Sequence, residues 1–293
     1  MYINKKYLPA IGKIFSPIVL DNIAENGCSS YLEEVCINSG LIKLLDPKVS
    51  LGQFFDWTYN FLFKNYRNEY IYKNVIANKI LLNRHSLNTT KMLTEFRVGN
   101  SKADVVLLNG ASTVYEIKSQ YDSFARLRKQ IDSYIQIFDY INVITSAHQS
   151  EKLRNFLPNE IGILALTDRY TISTIRNAKS NKHNINPGVL FDSLRKNEYL
   201  RTIKEYYGEI PDVPNTYIYR ECRKLFCKIP PTYAHDIAVK SLKIRKCTNF
   251  LKNFISEAPS SMSAYAISIC NKENLLKNLL IQFDRNFNSL VRI

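Results

Sequence analysis

Two carboxylates and a lysine carry the chemistry that this sequence offers. Asp104 begins the apolar run Val105-Val106-Leu107-Leu108, and Glu116-Ile117-Lys118 ends the next extended stretch, Thr113 to Lys118. Alternate side chains of a strand share a face, so Glu116 and Lys118 point one way, and Tyr115 and Ile117 the other. Such a set suits hydrolysis of a phosphodiester, in which a divalent cation polarises the phosphate and lowers the pKa of an attacking water. Mg²⁺ takes oxygen ligands, typically one or two carboxylates plus waters. Asp104 and Glu116 would supply these, with the Ile117 carbonyl as a further oxygen. Lys118 would orient the water and stabilise charge growing on the phosphate. The plainer alternative is a surface hairpin with a cross-strand ion pair. Context speaks against it: Asp104 borders apolar residues, where a charge is costly, and Val114, Tyr115 and Ile117 read as buried.

Register decides whether the carboxylates meet. Asn109-Gly110 between the two runs is a hairpin signal. A two-residue turn pairs 108 with 111 and sets Asp104 against Tyr115. A three-residue loop with a bulge pairs 108 with 112 and sets Asp104 opposite Glu116. The active-site reading therefore requires the longer loop, or a bulge elsewhere in the hairpin.

The surrounding pattern supplies the scaffold. Residues 1–60 read as helical, with a Ser29-Ser30 start followed by Glu33 and with Ser50 capping a helix through Phe54, Phe55, Phe61 and Leu62. Asn68 to Leu82 carries one apolar helical stripe through Ile71, Val75, Ile76 and Ile80. The period then changes to strands at Met92–Val98, Ala103–Leu108 and Thr113–Lys118. It returns to helix after an Asp122 or Ser123 cap, with Phe124, Leu127, Ile131, Tyr134, Ile135 and Phe138 on one face. Strands at Ile141–Thr145 and Ile161–Leu166 flank a helix at Glu151–Phe156. The order mixes an antiparallel hairpin with crossover connections, which predicts an α/β chain: a three-layer sandwich on a central mixed sheet, flanked by N- and C-terminal helical regions. The expected division is a helical region at 1–60, a core at 61–175, and a basic, mainly helical region at 176–293. From Phe191 to Ile293 helical patterns dominate, broken by prolines.

Helix, three strands, helix, strand, with Asp104 and Glu116-Ile-Lys118 on the hairpin, resembles the PD-(D/E)xK, or restriction-endonuclease-like, nuclease superfamily. The next helix carries Gln130-Ile-Asp-Ser-Tyr134, similar to the Gln-x-x-x-Tyr motif of its RecB-like members. Gln130 and Tyr134 share a helix face, and the resemblance gives them a part in holding the site or contacting the DNA backbone. It also implies a further acid from the preceding helix, which Glu69 matches by position, with Glu95 on the first strand as competitor. Thr94 to Gly99, Ala103 to Val106 and Tyr115 to Ser119 look similar to strands of a little-described bacterial family of this group. Ala103 stands where the superfamily name has proline, a departure that leaves the acid in place. The resemblance implies a Mg²⁺- or Mn²⁺-dependent nuclease acting on DNA, with restriction, repair or phage defence as settings. The alternative it leaves is an inactive nuclease fold that binds nucleic acid or a protein partner.

Charge agrees with a polyanionic partner. Formal net charge is +14, and lysines and arginines near phosphates release condensed counterions. Arg126 and Lys129 start the helix that carries Gln130 and are candidate backbone contacts. Between Arg169 and Lys204 only Asp192 and Glu198 oppose the basic residues, and Tyr170, Tyr199, Tyr206 and Tyr207 nearby are candidates for stacking on bases. A homodimer or a protein partner is left open. The basic start at Met1 leads into a segment broken by Pro9, Lys13 and Pro17, so no secretory signal is expected. No apolar run approaches a membrane span. Six cysteines without a CxxC pair or zinc spacing predict reduced thiols in a cytoplasmic protein.

Overall fold

The computed structural model describes residues 3–46 and 48–287. In chain order it forms α1 (Leu8–Lys13), α2 (Pro17–Asn26), α3 (Ser30–Ser39), α4 (Leu51–Asn65) and α5 (Glu69–Val75), which continues as a π-helical run over Ile76–Leu82. Strands β1 (Lys91–Val98), β2 (Ser101–Leu108) and β3 (Ser112–Lys118) follow, then α6 (Leu127–Ile135), β4 (Tyr140–Ser146), α7 (Ala147–Phe156), β5 (Gly162–Leu166) and β6 (Ile172–Arg176). The rest is helical: α8 (Pro187–Asp192), α9 (Lys196–Tyr207), α10 (Asn215–Phe226), α11 (Pro231–Lys243), α12 (Phe250–Glu257), α13 (Ser263–Ser268) and α14 (Glu273–Phe283). Positions 288–293 of the expected helical stretch, and Met1 and Tyr2 of the basic start, lie outside the described residues.

The chain separates into two compact units, one of residues 84–245 and one built from the residues on either side of it. This differs from the expected division at 60 and 175. Residues 187–243 belong with the sheet, because the apolar stripes of α9 to α11 enter its core. Residues 246–287 pack instead with the N-terminal helices.

In the flanking unit the Ser50 cap forms as expected. Its Oγ accepts from the Gln53 amide at 3.2 Å, and the Gln53 side chain accepts from the Ser50 amide at 3.0 Å, which satisfies two otherwise orphaned donors. Ser29 takes the N-cap position of α3 but makes no side-chain cap bond. Phe15, Phe54, Phe55 and Phe287 form an aromatic core. Cys247 and Cys270 are joined in a disulfide, with Cα atoms 4.8 Å apart. That corrects the expectation of six free thiols: the fold brings together two residues 23 apart in sequence, which spacing alone does not reveal. No described helix is long and apolar enough to cross a membrane.

The other unit is α/β, with a six-stranded mixed sheet in the order β1-β2-β3-β4-β5-β6. β1, β2 and β3 form an antiparallel meander, β3 to β5 run parallel, and β6 returns antiparallel. On one face Leu93, Phe96, Val106, Leu108, Val114, Val143 and Ile163 share a core with Leu127, Ile131 and Tyr134 of α6, Leu153 of α7 and the inner stripes of α8 to α11. The alternate residues Val105, Leu107, Tyr115, Ile117 and Ile144 are buried as well. β6 was not expected, because its Ser173 and Thr174 are exposed and its pattern is that of a half-solvated edge. α6 starts at Leu127, later than the expected Asp122 or Ser123 cap. Asp122 is occupied elsewhere: its Oδ2 accepts from the Ser119 amide at 2.8 Å and from the Ser119 hydroxyl at 2.7 Å. It closes the turn leaving β3 and is not available as a helix cap.

Candidate active site

The β2–β3 loop is the longer of the two alternatives. Leu108 pairs with Ser112 across Asn109-Gly110-Ala111, and the Asn109 amide donates to the Ala111 carbonyl at 3.1 Å. Gly110 takes φ 109°, a conformation that a side chain would oppose. The same register pairs Val105 with Tyr115, so the next step along the hairpin puts Asp104 level with Glu116. The Asp104 carboxylate accepts from the Ile117 amide through Oδ2 at 2.7 Å.

On the other side of Asp104 the pairing of β1 is also informative. Thr94 pairs with Val105 and Phe96 with Ala103, which places Glu95 across from Asp104. Glu95 has φ 56°, in the left-handed region that costs a non-glycine residue energy. Both strands turn over here. Core residues are spaced by three at Leu93 and Phe96 on β1 and at Ala103 and Val106 on β2, where a regular strand would space them by two. Carboxylate oxygens of Glu95 and Asp104 lie within 4.8 Å of one another. Glu95 is also ion-paired with Lys102. Three acids, Glu95, Asp104 and Glu116, therefore stand at one level across three neighbouring strands.

Glu116 is the most enclosed, at 1 % exposure, and Lys118 is 8 % exposed. The Cα partner of Glu116 on β4 is Val143, a core residue, so its side chain is on the α6 face. Its Oε1 accepts from Lys118 Nζ at 2.8 Å and from Gln130 Nε2 at 2.5 Å. Its Oε2 is 2.7 Å from the Tyr134 hydroxyl, which also lies 3.0 Å from the Lys102 carbonyl. Lys118 Nζ donates in addition to Gln130 Oε1 at 2.9 Å. Taking a carboxylate and an ammonium out of water costs several kcal/mol each. Here the mutual ion pair and two uncharged donors offset that cost. Burial, followed by the neighbouring Glu116 charge, holds the Tyr134 hydroxyl well above its usual pKa, so it stays protonated and donates.

Of the residues singled out in the sequence, Glu116, Lys118, Gln130 and Tyr134 form this one hydrogen-bonded group. Asp104 and Ile117 adjoin it through their own bond. Arg126 and Lys129 are exposed at the start of α6. Glu69 heads α5 in the other unit, exposed, with an ion pair to Lys73 at 2.5 Å. Tyr199, named as a stacking candidate, is buried in the core and faces Phe191, so it is not available for that role. Tyr206 and Tyr207 are exposed. Sequence reasoning did not find the polar pair beside Lys118. Thr145, the partner of Lys118 on β4, donates to Gln149 Oε1 at 3.0 Å, and Gln149 Nε2 reaches the Gln120 carbonyl at 3.4 Å. A threonine in the same row as Ile141 and Val143 of a parallel strand was the available signal.

Comparison with known proteins gives a family. Protein cII of Enterobacteria phage P4 is 20% identical to this chain over 217 residues, covering 70% of this chain and 78% of that protein. A solved structure, the SPO1766 protein of unknown function from Silicibacter pomeroyi, is 21% identical and covers 44% of this chain and 87% of its own. Its TM-score is 0.29, a value at which two folds need not be the same. The family described as bacteriophage P4 protein cII matches residues 63–281. That is well over half of the 293 residues, and the chain belongs to the bacteriophage P4 protein cII family.

Proposed function

We propose that this chain is a metal-dependent nuclease of the PD-(D/E)xK kind, built on a three-layer core and acting on DNA. The observation that carries the reading is the level placement of Asp104 and Glu116 on β2 and β3, with Lys118, Gln130 and Tyr134 converging on Glu116. The resemblance in motif order supports it, and the net charge of +14 suits the partner.

The donor set fits a hard cation. Glu95 and Asp104 bring two like charges within 4.8 Å, an arrangement that a cation relieves. All the candidate ligands are oxygens, as Mg²⁺ or Mn²⁺ prefers. Asp104 and Glu116 would hold the ion with the Ile117 carbonyl. A further acid would come from Glu69 on the resemblance, or from Glu95 on its place beside Asp104. When bound, a divalent ion supplies polarisation of the phosphate and a more acidic water. The protein's own part is positional. Gln130 and Tyr134 orient the Glu116 carboxylate, the Ile117 amide orients Asp104, and Lys118 presents an ammonium to the charge developing on phosphate.

One observation favours a second reading, an inactive nuclease fold that binds nucleic acid. Glu116 is 1 % exposed, and both its oxygens already accept hydrogen bonds. The test is incubation with plasmid, linear duplex and single-stranded DNA in Mg²⁺, Mn²⁺ or EDTA, beside Asp104→Asn and Lys118→Met. Metal-dependent cutting that both folded variants lose is the expected result. Salt-sensitive DNA binding without cutting would replace the nuclease reading with the second one.

A further inference from the structure

The chain leaves β3 through a tight turn that several hydrogen bonds brace. The Asp122 amide donates to the Ser119 carbonyl at 3.1 Å, and the Asp122 carboxylate accepts from both the amide and the hydroxyl of Ser119. The Tyr121 amide donates to Ser119 Oγ at 3.3 Å. Gln120 Nε2 donates to the Tyr121 oxygen at 2.6 Å. The Gln120 carbonyl accepts from Gln149 Nε2 at 3.4 Å, and Gln149 Oε1 accepts from Thr145 at 3.0 Å. Thr145 is the Cα partner of Lys118, and paired residues of neighbouring strands share a face. The bonds from Thr145 through Gln149 and Gln120 to Tyr121 therefore tie the turn to the sheet face that carries Lys118.

What this turn presents is an aromatic ring in water. Tyr121 is 52 % exposed, at a place that turns usually give to Gly, Asn, Asp or Ser. A ring whose amide and hydroxyl are both bonded loses little freedom on meeting a flat partner. Tyr121 is three residues beyond Lys118, so their Cα atoms are at most about 11 Å apart. Ligands of open α/β sheets bind outside the carboxyl ends of the parallel strands, and β3 ends at Lys118. The flank is cationic. Arg126, Arg128 and Lys129 are exposed, and from Ser119 to Ile131 the only acid is Asp122, whose carboxylate Ser119 occupies. An aromatic face beside exposed cations suits an unpaired nucleotide, because every base has a face that stacks and every phosphate a charge. A paired base inside a duplex is already stacked on its neighbours and gains nothing from the ring.

We infer that Tyr121 is a stacking platform for an unpaired base beside the Lys118 end of β3, so that the strand taken there is single-stranded. The inference rests on the nucleic-acid reading above and narrows it to a substrate class. Stacking accepts any base, so the platform adds affinity and not sequence choice.

The test is binding of a labelled oligonucleotide, as a single strand and as a blunt duplex, to the full chain in EDTA, where nothing is cut. Tyr121→Ala is expected to weaken single-strand binding about fivefold or more, the scale of one lost base stack, with Tm unchanged because the ring is exposed. Tyr121→Phe keeps the ring and is expected to bind within about twofold of wild type. Tyr121→Leu keeps apolar bulk without an aromatic face and is expected to fail as the alanine does. Duplex binding, which rests on phosphate contacts, is expected to stay within about twofold in all three. Wild-type affinity of Tyr121→Ala or Tyr121→Leu for the single strand would overturn the inference, as would an equal loss on duplex, or a wild type that binds duplex alone. A wild type that binds single strands through Tyr121 but does not cut in Mg²⁺ keeps the platform and removes the nuclease reading. A wild type that cuts while Tyr121→Ala binds single strands normally does the reverse, and a wild type that does not bind DNA removes both.

Discussion

The Lys118–Glu116 pair allows a quantitative test of how the site is built. At 2.8 Å, two unit charges attract by about 6 kcal/mol at an effective dielectric constant of ~20. Desolvation costs several kcal/mol per ion, so the pair as a whole is close to neutral for stability. Removing one partner is a different matter, because the other charge stays buried. Lys118→Met leaves Glu116 with only Gln130 and Tyr134, and Glu116→Gln leaves Lys118 without its counter-charge. Each single change should cost about 3–5 kcal/mol. The double variant removes both charges and should cost less than the sum of the two by about 2 kcal/mol or more. Urea unfolding of the four proteins, followed by far-UV circular dichroism, measures the cycle. Costs that add to within ~0.5 kcal/mol would refute a coupled buried pair and leave Lys118 as an independent side chain.

Two further outcomes follow from named groups. His235 is 1 % exposed, and its Nε2 is 2.8 Å from the Ser112 hydroxyl. Burial, only partly offset by Asp236 and Asp139, holds its pKa below the ordinary 6.5. The unfolded chain therefore binds more protons just below pH 6.5, so stability should fall as pH drops through that value toward the folded pKa. The urea midpoint of wild type should decline between about pH 7 and 5.5, while that of His235→Gln should stay nearly flat. A parallel decline in both would assign the effect to other groups. For the further acid, Glu95→Gln and Glu69→Gln are to be compared in the DNA-cutting assay. The one that supplies a metal ligand should lower kcat by about a hundredfold or more and raise the Mg²⁺ requirement, whereas the other stays near wild type. If neither lowers it, Asp104 and Glu116 act without a third carboxylate.

Much of the candidate site was legible because it depends on short-range rules. Alternation placed Glu116 and Lys118 together, and the requirement that Asp104 meet Glu116 pointed to the three-residue loop that forms. Spacing of four put Gln130 and Tyr134 on one face of α6, where both bond Glu116. The left-handed backbone at Glu95 was not legible. It depends on β1 and β2 turning over together, and no propensity encodes that. Asp122 was misassigned because a capping residue and a turn-closing residue use the same carboxylate chemistry, and only the geometry selects Ser119. The grouping of α8 to α11 with the sheet was also missed. The stripe through Tyr199, Ile203, Ile218, Cys222 and Phe226 shows that these helices bury a face, but not which surface receives it.

Tyr134 has one hydroxyl proton and two acceptors in reach, a carboxylate at 2.7 Å and the Lys102 carbonyl at 3.0 Å. While Glu116 is charged, the carboxylate holds the proton, since bonds to ionised acceptors are the stronger. Any event that neutralises Glu116, whether protonation or capture by a cation, shifts the balance toward the carbonyl. Residue 134 is thus a built-in reporter. Its hydroxyl vibration, or the resonance of an isotopically labelled ring, would register the charge state of the site without any substrate being turned over.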